Sequence, residues 1–298
     1  MVSVPSEPLA AWCEARLGLR PIAQNPVGGG CIHRAWRLVD AEGTSVFAKT
    51  GGSGAMALLE AEAAGLAALG AWPPDGLRVP QPLALELVGD QAVLVLPWLD
   101  LAPGGTGGWS QLGQGLAQLH RASRGGQGGR GYGFETDNFI GSAPQANGWL
   151  PRWASFFVQR RLKPQLAMAA ARGEAFASAD AVLERAQERL ASHGPEAVLV
   201  HGDLWSGNAG LLRGGGAALF DPAAYWGDRE VDLAMAQLFG GFPASFFAAY
   251  QATWPLPSGA PGRVELYNLY HLLNHANLFG GGYRSQAEAS MLSLLDTP

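Results

Sequence analysis

Apolar and polar positions divide the chain into a strand-rich first third and a helix-rich remainder. Residues 6–18 open with Ser6 and Pro8 and close at Gly18, the punctuation of a helix. Strand-like flanks on either side of Gly28, Gly29 and Gly30 make those glycines the turn between two strands. Ser45 to Lys49 reads as a short strand ending in a lysine. Between 54 and 70 the apolar positions Leu59, Ala63, Leu66 and Leu69 recur at helical spacing. Leu83–Val88 and Ala92–Leu96 then bracket Gly89-Asp90, a hairpin signal. After Pro97-Trp98-Leu99-Asp100 helix formers take over. Trp109 to His120 is amphipathic, with His120 placed to cap the C-terminal dipole. A glycine-rich loop covers 124–133 and a specific turn 134–141, after which 147 to about 190 reads as one long helical stretch. In these segments Asn138 and Trp149 are candidates to line a cleft. Closing helices with aromatic-rich turns fill the region beyond 230.

One place breaks the pattern. The β-branched run Ala197 to Val200 stops at His201-Gly202-Asp203-Leu204-Trp205-Ser206-Gly207-Asn208, four polar side chains in eight residues. Polar groups at the end of a buried strand are costly unless paired or used. The step from Asp203 to Asn208 matches the kinase catalytic loop H-R-D-x-x-x-x-N, with Gly202 in place of the arginine. There the Asp orients the attacking hydroxyl and accepts its proton, and the Asn holds magnesium. A second carboxylate for the metal should follow one short hairpin later. Leu211-Leu212, the turn Gly214–Gly216 and the strand Ala217–Phe220 form that hairpin, and Asp221 follows.

Upstream, Gly28–Gly30 form a turn of bare backbone that can present N–H groups to a triphosphate. A lysine on a buried strand needs a carboxylate partner. On the helix that follows, Glu60 and Glu62 lie roughly 200° apart at 100° per residue. Glu62 precedes the Leu66/Leu69 stripe at the offset seen in kinase-like lobes and is the favoured partner of Lys49. Trp98 and Leu99 retain the N–H groups that Pro97 lacks, so they are placed to meet an adenine. Asp228 reads as a helix N-cap, and Asp232, just ahead of an apolar run, as a brace for the loop backbone. His271 and His275 are four apart on one helix face, a metal-like spacing with no third ligand beside it.

Bulk properties narrow the field. The chain has 298 residues, 48% hydrophobic and 15% charged, long enough for a large core and too apolar for disorder. A net charge of −5 speaks against a nucleic-acid-binding surface. Glu7 and Glu14 near the N-terminus exclude a signal-peptide pattern, and no apolar run approaches about 18 residues, which points to a cytoplasmic protein without membrane contact. Two cysteines, Cys13 and Cys31, are too few for a disulfide framework. Of 20 basic residues only Lys49 and Lys163 are lysine, so an ammonium at position 49 stands out against a chain that otherwise uses arginine.

Gly28–Gly30, Lys49, Glu62, Asp203, Asn208 and Asp221 occur in kinase order. The chain resembles the small-molecule branch of the protein-kinase-like fold, alongside aminoglycoside and choline kinases. The loop with its Trp205, Asp221-Pro222-Ala223, Gly240-Gly241-Phe242-Pro243, Phe246-Phe247-Ala248-Ala249-Tyr250 and Asn274-His275-Ala276-Asn277-Leu278-Phe279-Gly280 narrow this. They are similar to the fructosamine kinase (ketosamine-3-kinase) family over residues from about 20 to 285.

The resemblance implies an α+β bilobal fold. A small antiparallel-sheet lobe with one helix would span 1–97, a hinge 98–100, and a mostly helical lobe 101–298. It implies ATP- and Mg2+-dependent phosphorylation of the 3-hydroxyl of a ketosamine, free or on a protein lysine, after which the adduct breaks down and frees the amine. Asp203 would be the base, Asn208 and Asp221 the magnesium ligands, and Lys49, braced by Glu62, the phosphate contact. Trp205 and His275 would serve the sugar. Cys31 stands where an acidic residue is common in bacterial members, and the resemblance suggests a redox-dependent disulfide between chains there. The nearest alternative is a kinase for another small alcohol, such as an aminoglycoside or amino alcohol; a further one is a nucleotide-binding module without catalysis.

Overall fold

The structure is a computed structural model and describes residues 3–28, 33–102 and 108–296. Gly29, Gly30 and Cys31 lie outside the described residues. Helix α1 (Glu7–Leu17) precedes strands β1 (Ala23–Val27), β2 (Arg34–Val39) and β3 (Ser45–Gly52), followed by helix α2 (Met56–Gly70). A two-residue strand β4 (Leu77–Arg78) leads to the hairpin β5 (Ala84–Val88) and β6 (Gln91–Pro97). Five of these strands make one sheet in the order β1-β2-β3-β6-β5, antiparallel throughout.

Strand alternation explains what each face of this sheet does. Leu38, Val46, Ala48, Val93 and Val95 point to one side, where Leu9 and Cys13 of α1 cover them. Leu94 and Leu96 point to the other and pack under Leu59 and Leu66 of α2. Strand β6 is therefore apolar on both faces and reads as a continuous hydrophobic run. Lys49 pairs across to Ala35 and Leu94, which puts it on the α2 face.

The remainder is mostly helical: α3 (Trp109–Ala122), the hairpin β7 (Asn138–Ile140) and β8 (Ala143–Gln145), then α4 (Trp153–Phe156), α5 (Lys163–Ala171) and α6 (Ala179–Leu190). Strand β9 (Val198–Val200) feeds the polar loop; β10 (Ala209–Leu211), β11 (Ala217–Leu219) and β12 (Tyr225–Gly227) follow. Helices α7 (Glu230–Leu238), α8 (Ala244–Thr253), α9 (Val264–Phe279) and α10 (Gly282–Asp296) close the chain. Strands β10, β11 and β4 form a small sheet, and β12 pairs with β9. Among the described residues no helix is long and apolar enough to cross a membrane.

Two sequence expectations change here. The single helix expected over 147–190 is three, with a π-helical turn at Phe157–Leu162 between α4 and α5. Pro164 has no N–H to give the Arg160 carbonyl; Arg161 Nη1 takes that carbonyl at 3.0 Å. His120 is not an exposed dipole cap. It is fully buried and joins Tyr250 at 2.9 Å to Asp232 at 3.1 Å.

Asp232 carries the polar loop. Its carboxylate accepts the backbone N–H of His201 at 2.7 Å and of Gly202 at 2.8 Å, as well as His120. Burial alone would raise its pKa, but the hydrogen bond from His120, the nearby imidazoles and the Gly202 N–H outweigh that and lower it. Asp228, the expected N-cap, accepts the Glu230 N–H at 3.1 Å, and it also holds His193 at 2.7 Å and the Tyr267 hydroxyl at 2.6 Å.

Asp232→Asn should put an amide NH2 against one of those backbone N–H groups and cost about 3 kcal/mol in denaturant unfolding. The stability Asp232 supplies is present above the unfolded carboxylate pKa of about 3.9 and is lost as pH falls through its lower folded value. The acid limb of the stability curve should therefore flatten in the Asn variant.

Candidate active site

The loop 201–208 is held from below by backbone geometry. Gly202 has φ +81°, and a Cβ there would lie 2.1 Å from the Ala223 carbonyl oxygen. That is the physical reason glycine stands where the related loop has arginine. The Ala223 N–H returns a hydrogen bond to the His201 carbonyl at 2.9 Å. His201 is fully buried: Nε2–H donates to the Phe220 carbonyl at 3.0 Å, and Nδ1 accepts the Asp203 N–H at 3.3 Å. Burial lowers its pKa, consistent with a neutral ring in that tautomer.

Asp203 and Asn208 face each other. Asn208 Nδ2 donates to Asp203 Oδ2 at 3.1 Å, to the Asp203 carbonyl at 3.0 Å and to the Asp221 carbonyl at 3.3 Å. Its side-chain oxygen has no hydrogen-bond partner among the described residues. Burial, with the charge of Asp221 behind it, pushes the Asp203 carboxyl up to about 7.

Asp221 begins the turn after β11 and is the non-glycine residue at positive φ among the described residues, at 56°. Aspartate tolerates this region better than most residues, yet the conformation still costs of order 1 kcal/mol and needs surrounding contacts to persist. Its carboxylate meets Lys49 Nζ in a short ion pair. On the other side Lys49 lies 2.9 Å from Glu62; Glu60, on the opposite face of α2, is exposed. Burial disfavours the Lys49 ammonium, but the two carboxylates together raise its pKa. Glu62 is raised by burial despite Lys49, while Asp221, also buried, is held down by Lys49.

These groups open into one cavity of about 620 Å3. Its sheet end is lined by Val27, Gly28, Ala35, Phe47 and Leu96, with Trp98 and Leu99 at the edge. Arg37 stacks on the Trp98 ring at 4.7 Å. The far end is lined by Trp205, His275 and Phe279. Trp205 is 38% exposed and Phe279 60%, so both present ring surface. Trp205 lies over Gly207, where a Cβ would come within 2.2 Å of its indole. His275 donates from Nδ1 to the His271 carbonyl at 2.8 Å, which leaves Nε2 as an acceptor.

The expected site residues described by the structure, Gly28, Lys49, Glu62, Trp98, Leu99, Asp203, Trp205, Asn208, Asp221 and His275, thus line a single cavity. Asn138 lines it too; Trp149 does not, being stacked under Arg130 at 4.2 Å. No third histidine, cysteine or carboxylate joins His271 and His275 among the described residues, so the pair lacks the ligand count of a metal site. Among the described residues a metal-like cluster occurs at His193, Asp228 and Glu230. Its atoms are already engaged: Arg263 grips Glu230 at 2.7 and 2.8 Å, and Asp228 holds His193 and Tyr267.

A polar network that the sequence reading missed fixes the turn after Asp221. Asn138 Nδ2 donates to the Ala224 carbonyl at 2.9 Å, and Gln145 Nε2 to the Ala223 carbonyl at 3.1 Å. Tyr270 and Asn147 hold these two side chains at 2.7 and 2.8 Å. The fully buried Arg161 backs Asn147 at 2.8 Å and lies on the Tyr225 ring at 3.9 Å. Clustered Asn and Gln at 138, 145 and 147 were the available signal.

Comparison with known proteins fits this geometry. Residues 10–297 match the family model for fructosamine kinase. A probable ketoamine kinase of Synechocystis is 44% identical over 90% of this chain and 89% of its own length. The chloroplastic protein-ribulosamine 3-kinase of Arabidopsis thaliana is 36% identical over 99% of this chain and 89% of its own. A crystal structure assigned as a fructosamine-3-kinase, from Haemophilus somnus, superposes with TM-score 0.86 at 26% identity, covering 96% of each chain. An aminoglycoside phosphotransferase, at 17% identity and TM-score 0.59 over 96% of this chain and 98% of its own, shares the protein-kinase-like fold. The chain belongs to the fructosamine kinase family.

Proposed function

We propose that this chain transfers the terminal phosphoryl group of ATP to the 3-hydroxyl of ketosamines such as fructosamines or ribulosamines. The phosphorylated adduct then breaks down and releases the amine. The observation that carries this reading is the joining, in one cavity, of Lys49–Glu62–Asp221 and Asp203–Asn208 to an aromatic end formed by Trp205, His275 and Phe279. In the domain reading, residues 1–97 carry the sheet and its helix, 98–100 the hinge, and 101–298 the catalytic loop and acceptor end.

Phosphoryl transfer through a loose transition state needs positioning and charge neutralisation more than covalent chemistry. Asp203 orients the acceptor hydroxyl in line with the terminal phosphorus and takes its proton. The acceptor oxygen forms the new O–P bond as the bond to the bridging oxygen breaks and ADP departs. Lys49, held by Glu62, contacts the nucleotide phosphates. Asn208 offers an unpartnered amide oxygen and Asp221 a carboxylate, both hard donors that suit Mg2+. Bound there, Mg2+ would neutralise phosphate charge. Trp205 gives the sugar a flat wall, and His275 Nε2 accepts from a sugar hydroxyl. Among the described residues at the acceptor end, Asp203 is the carboxylate that lines the cavity, which suits a sugar with one amine better than a polycationic aminoglycoside. Cys13 is buried and its thiol is pushed up to about 11, so a disulfide between chains would use Cys31.

The test is ATP consumption with magnesium, with and without a ribulosyl or fructosyl amine, followed by mass spectrometry of the acceptor. Acceptor-dependent turnover and a gain of one phosphoryl group are expected; turnover on another alcohol but not on ketosamines overturns the substrate assignment. Asp203→Asn should lower kcat by on the order of 10²-fold or more while ATP still binds. Trp205→Ala should raise KM for the ketosamine about tenfold, the loss of roughly 1.4 kcal/mol of stacking, and leave KM for ATP unchanged. Peroxide treatment followed by a non-reducing gel should give a dimer that Cys31→Ser abolishes.

A further inference from the structure

His33 is a titratable group in the cavity that none of the assignments above uses. It stands one residue before β2, where Arg34 pairs with Thr50 and Ala35 with Lys49. Alternation along the strand therefore places His33 on the same face as Ala35, and that is the face on which Lys49 stands. The imidazole lines the cavity with Lys49, Ala35 and Gly28. It lies over the bare backbone of Gly51, where a Cβ would sit 3.4 Å from His33 Nδ1. Among the described residues the ring makes no hydrogen bond. A half-buried imidazole with no partner among the described residues, beside a lysine assigned to phosphates and next to the glycine turn in sequence, is a donor in search of an anion.

We propose that His33 is a direct phosphate contact of the nucleotide, donating a ring N–H to an oxygen beyond the α-phosphate and sharing that end of the cavity with Lys49. The inference rests on the assignment of ATP as phosphoryl donor. Burial, and then the Lys49 ammonium, lower the imidazole pKa, with Asp221 opposing them. The free protein thus keeps a neutral ring there, which supplies one N–H without repelling Lys49. An arginine or lysine at this position would add a second full charge beside Lys49 in the unliganded site. The neutral ring avoids that and still offers a donor when the anion arrives. Gly51 completes the arrangement, because a Cβ there would clash with Ala55 Cβ at 2.6 Å and fill the contact distance to the ring.

The experiment measures equilibrium binding of ATP and AMP to the wild type, His33→Ala and His33→Gln, by calorimetry. Steady-state kinetics and melting without nucleotide accompany it. His33→Ala should weaken ATP binding about tenfold, as expected for one hydrogen bond to a charged group, and leave AMP binding unchanged. His33→Gln, which keeps a neutral N–H donor, should recover part of that loss. KM for ATP should rise while KM for the acceptor and the melting temperature hold. Unchanged ATP affinity in His33→Ala, or an equal loss for ATP and AMP, overturns the phosphate contact while leaving the kinase assignment standing. Failure of the wild type to bind any nucleotide overturns the kinase assignment itself.

Discussion

The site depends on the close approach of two backbone segments, 201–208 and 220–224. Four main-chain and side-chain hydrogen bonds cross between them: Ala223 N–H to His201, His201 Nε2–H to Phe220, Phe220 N–H to Asn208, and Asn208 Nδ2 to Asp221. Gly202 permits the approach, since any side chain would strike the Ala223 carbonyl. The consequence is that Asp203, Asn208 and Asp221, spread over 18 residues, share one small volume. Asp232 holds the first segment from α7, and Asn138 and Gln145 hold the second from the β7–β8 hairpin. The strained Asp221 backbone persists because it is gripped on both sides.

Bringing those groups together leaves the site short of positive charge. Glu62 and Asp221 flank Lys49, Asp203 adds its charge beside Asp221, and ATP would bring further anionic oxygens. In a cavity of low dielectric such repulsion is worth several kcal/mol per pair at contact. The carboxyl pKa values follow this crowding: burial and then Asp221 raise those of Glu62 and Asp203, while contact with Lys49 lowers that of Asp221. On the proposed reading, a divalent cation held by Asn208 and Asp221 would relieve this shortage where a neutral ligand could not. Lys49 would then turn to the nucleotide phosphates of the proposed reaction, with its ion pair to Glu62 holding it in place.

What was legible in the sequence was local. The loop 201–208, the hairpin to Asp221 and the Lys49 strand each show their chemistry within a few residues. Glu62 is favoured over Glu60 by its kinase-like offset ahead of Leu66 and Leu69; the structure adds the physical reason, since Glu62 shares a helix face with Leu59 and Leu66, which pack beneath β6. The illegible parts have partners far along the chain. His120 looked like a helix end because Asp232 lies 112 residues away. The π-turn follows from Pro164 and from the reach of Arg161 to residues 146 and 147, which helical periodicity does not encode. His33 was read only as strand sequence because its lack of a partner and its shared face with Lys49 exist only in the folded sheet.

The acceptor end shows how recognition and chemistry are coupled without a separate moving part. Trp205 and Asn208 sit in the same short turn, three residues apart, and the indole rests on Gly207 between them. The Asn208 N–H donates to the Trp205 carbonyl at 2.9 Å, and its side-chain amide to Asp203 at 3.1 Å. Trp205, Asp203 and Asn208, the proposed sugar wall, base and cation ligand, are thus joined within one short segment of chain. Opposite it, Phe239, His275 and Tyr283 pack ring to ring, with His275 4.7 Å from Phe239 and 5.0 Å from Tyr283. His275 is fixed by those rings and by the His271 carbonyl, so its free nitrogen has one direction in which to accept. On the proposed reading, the spacing between these two ring-lined walls would sort acceptors by thickness and hydroxyl placement more than by charge.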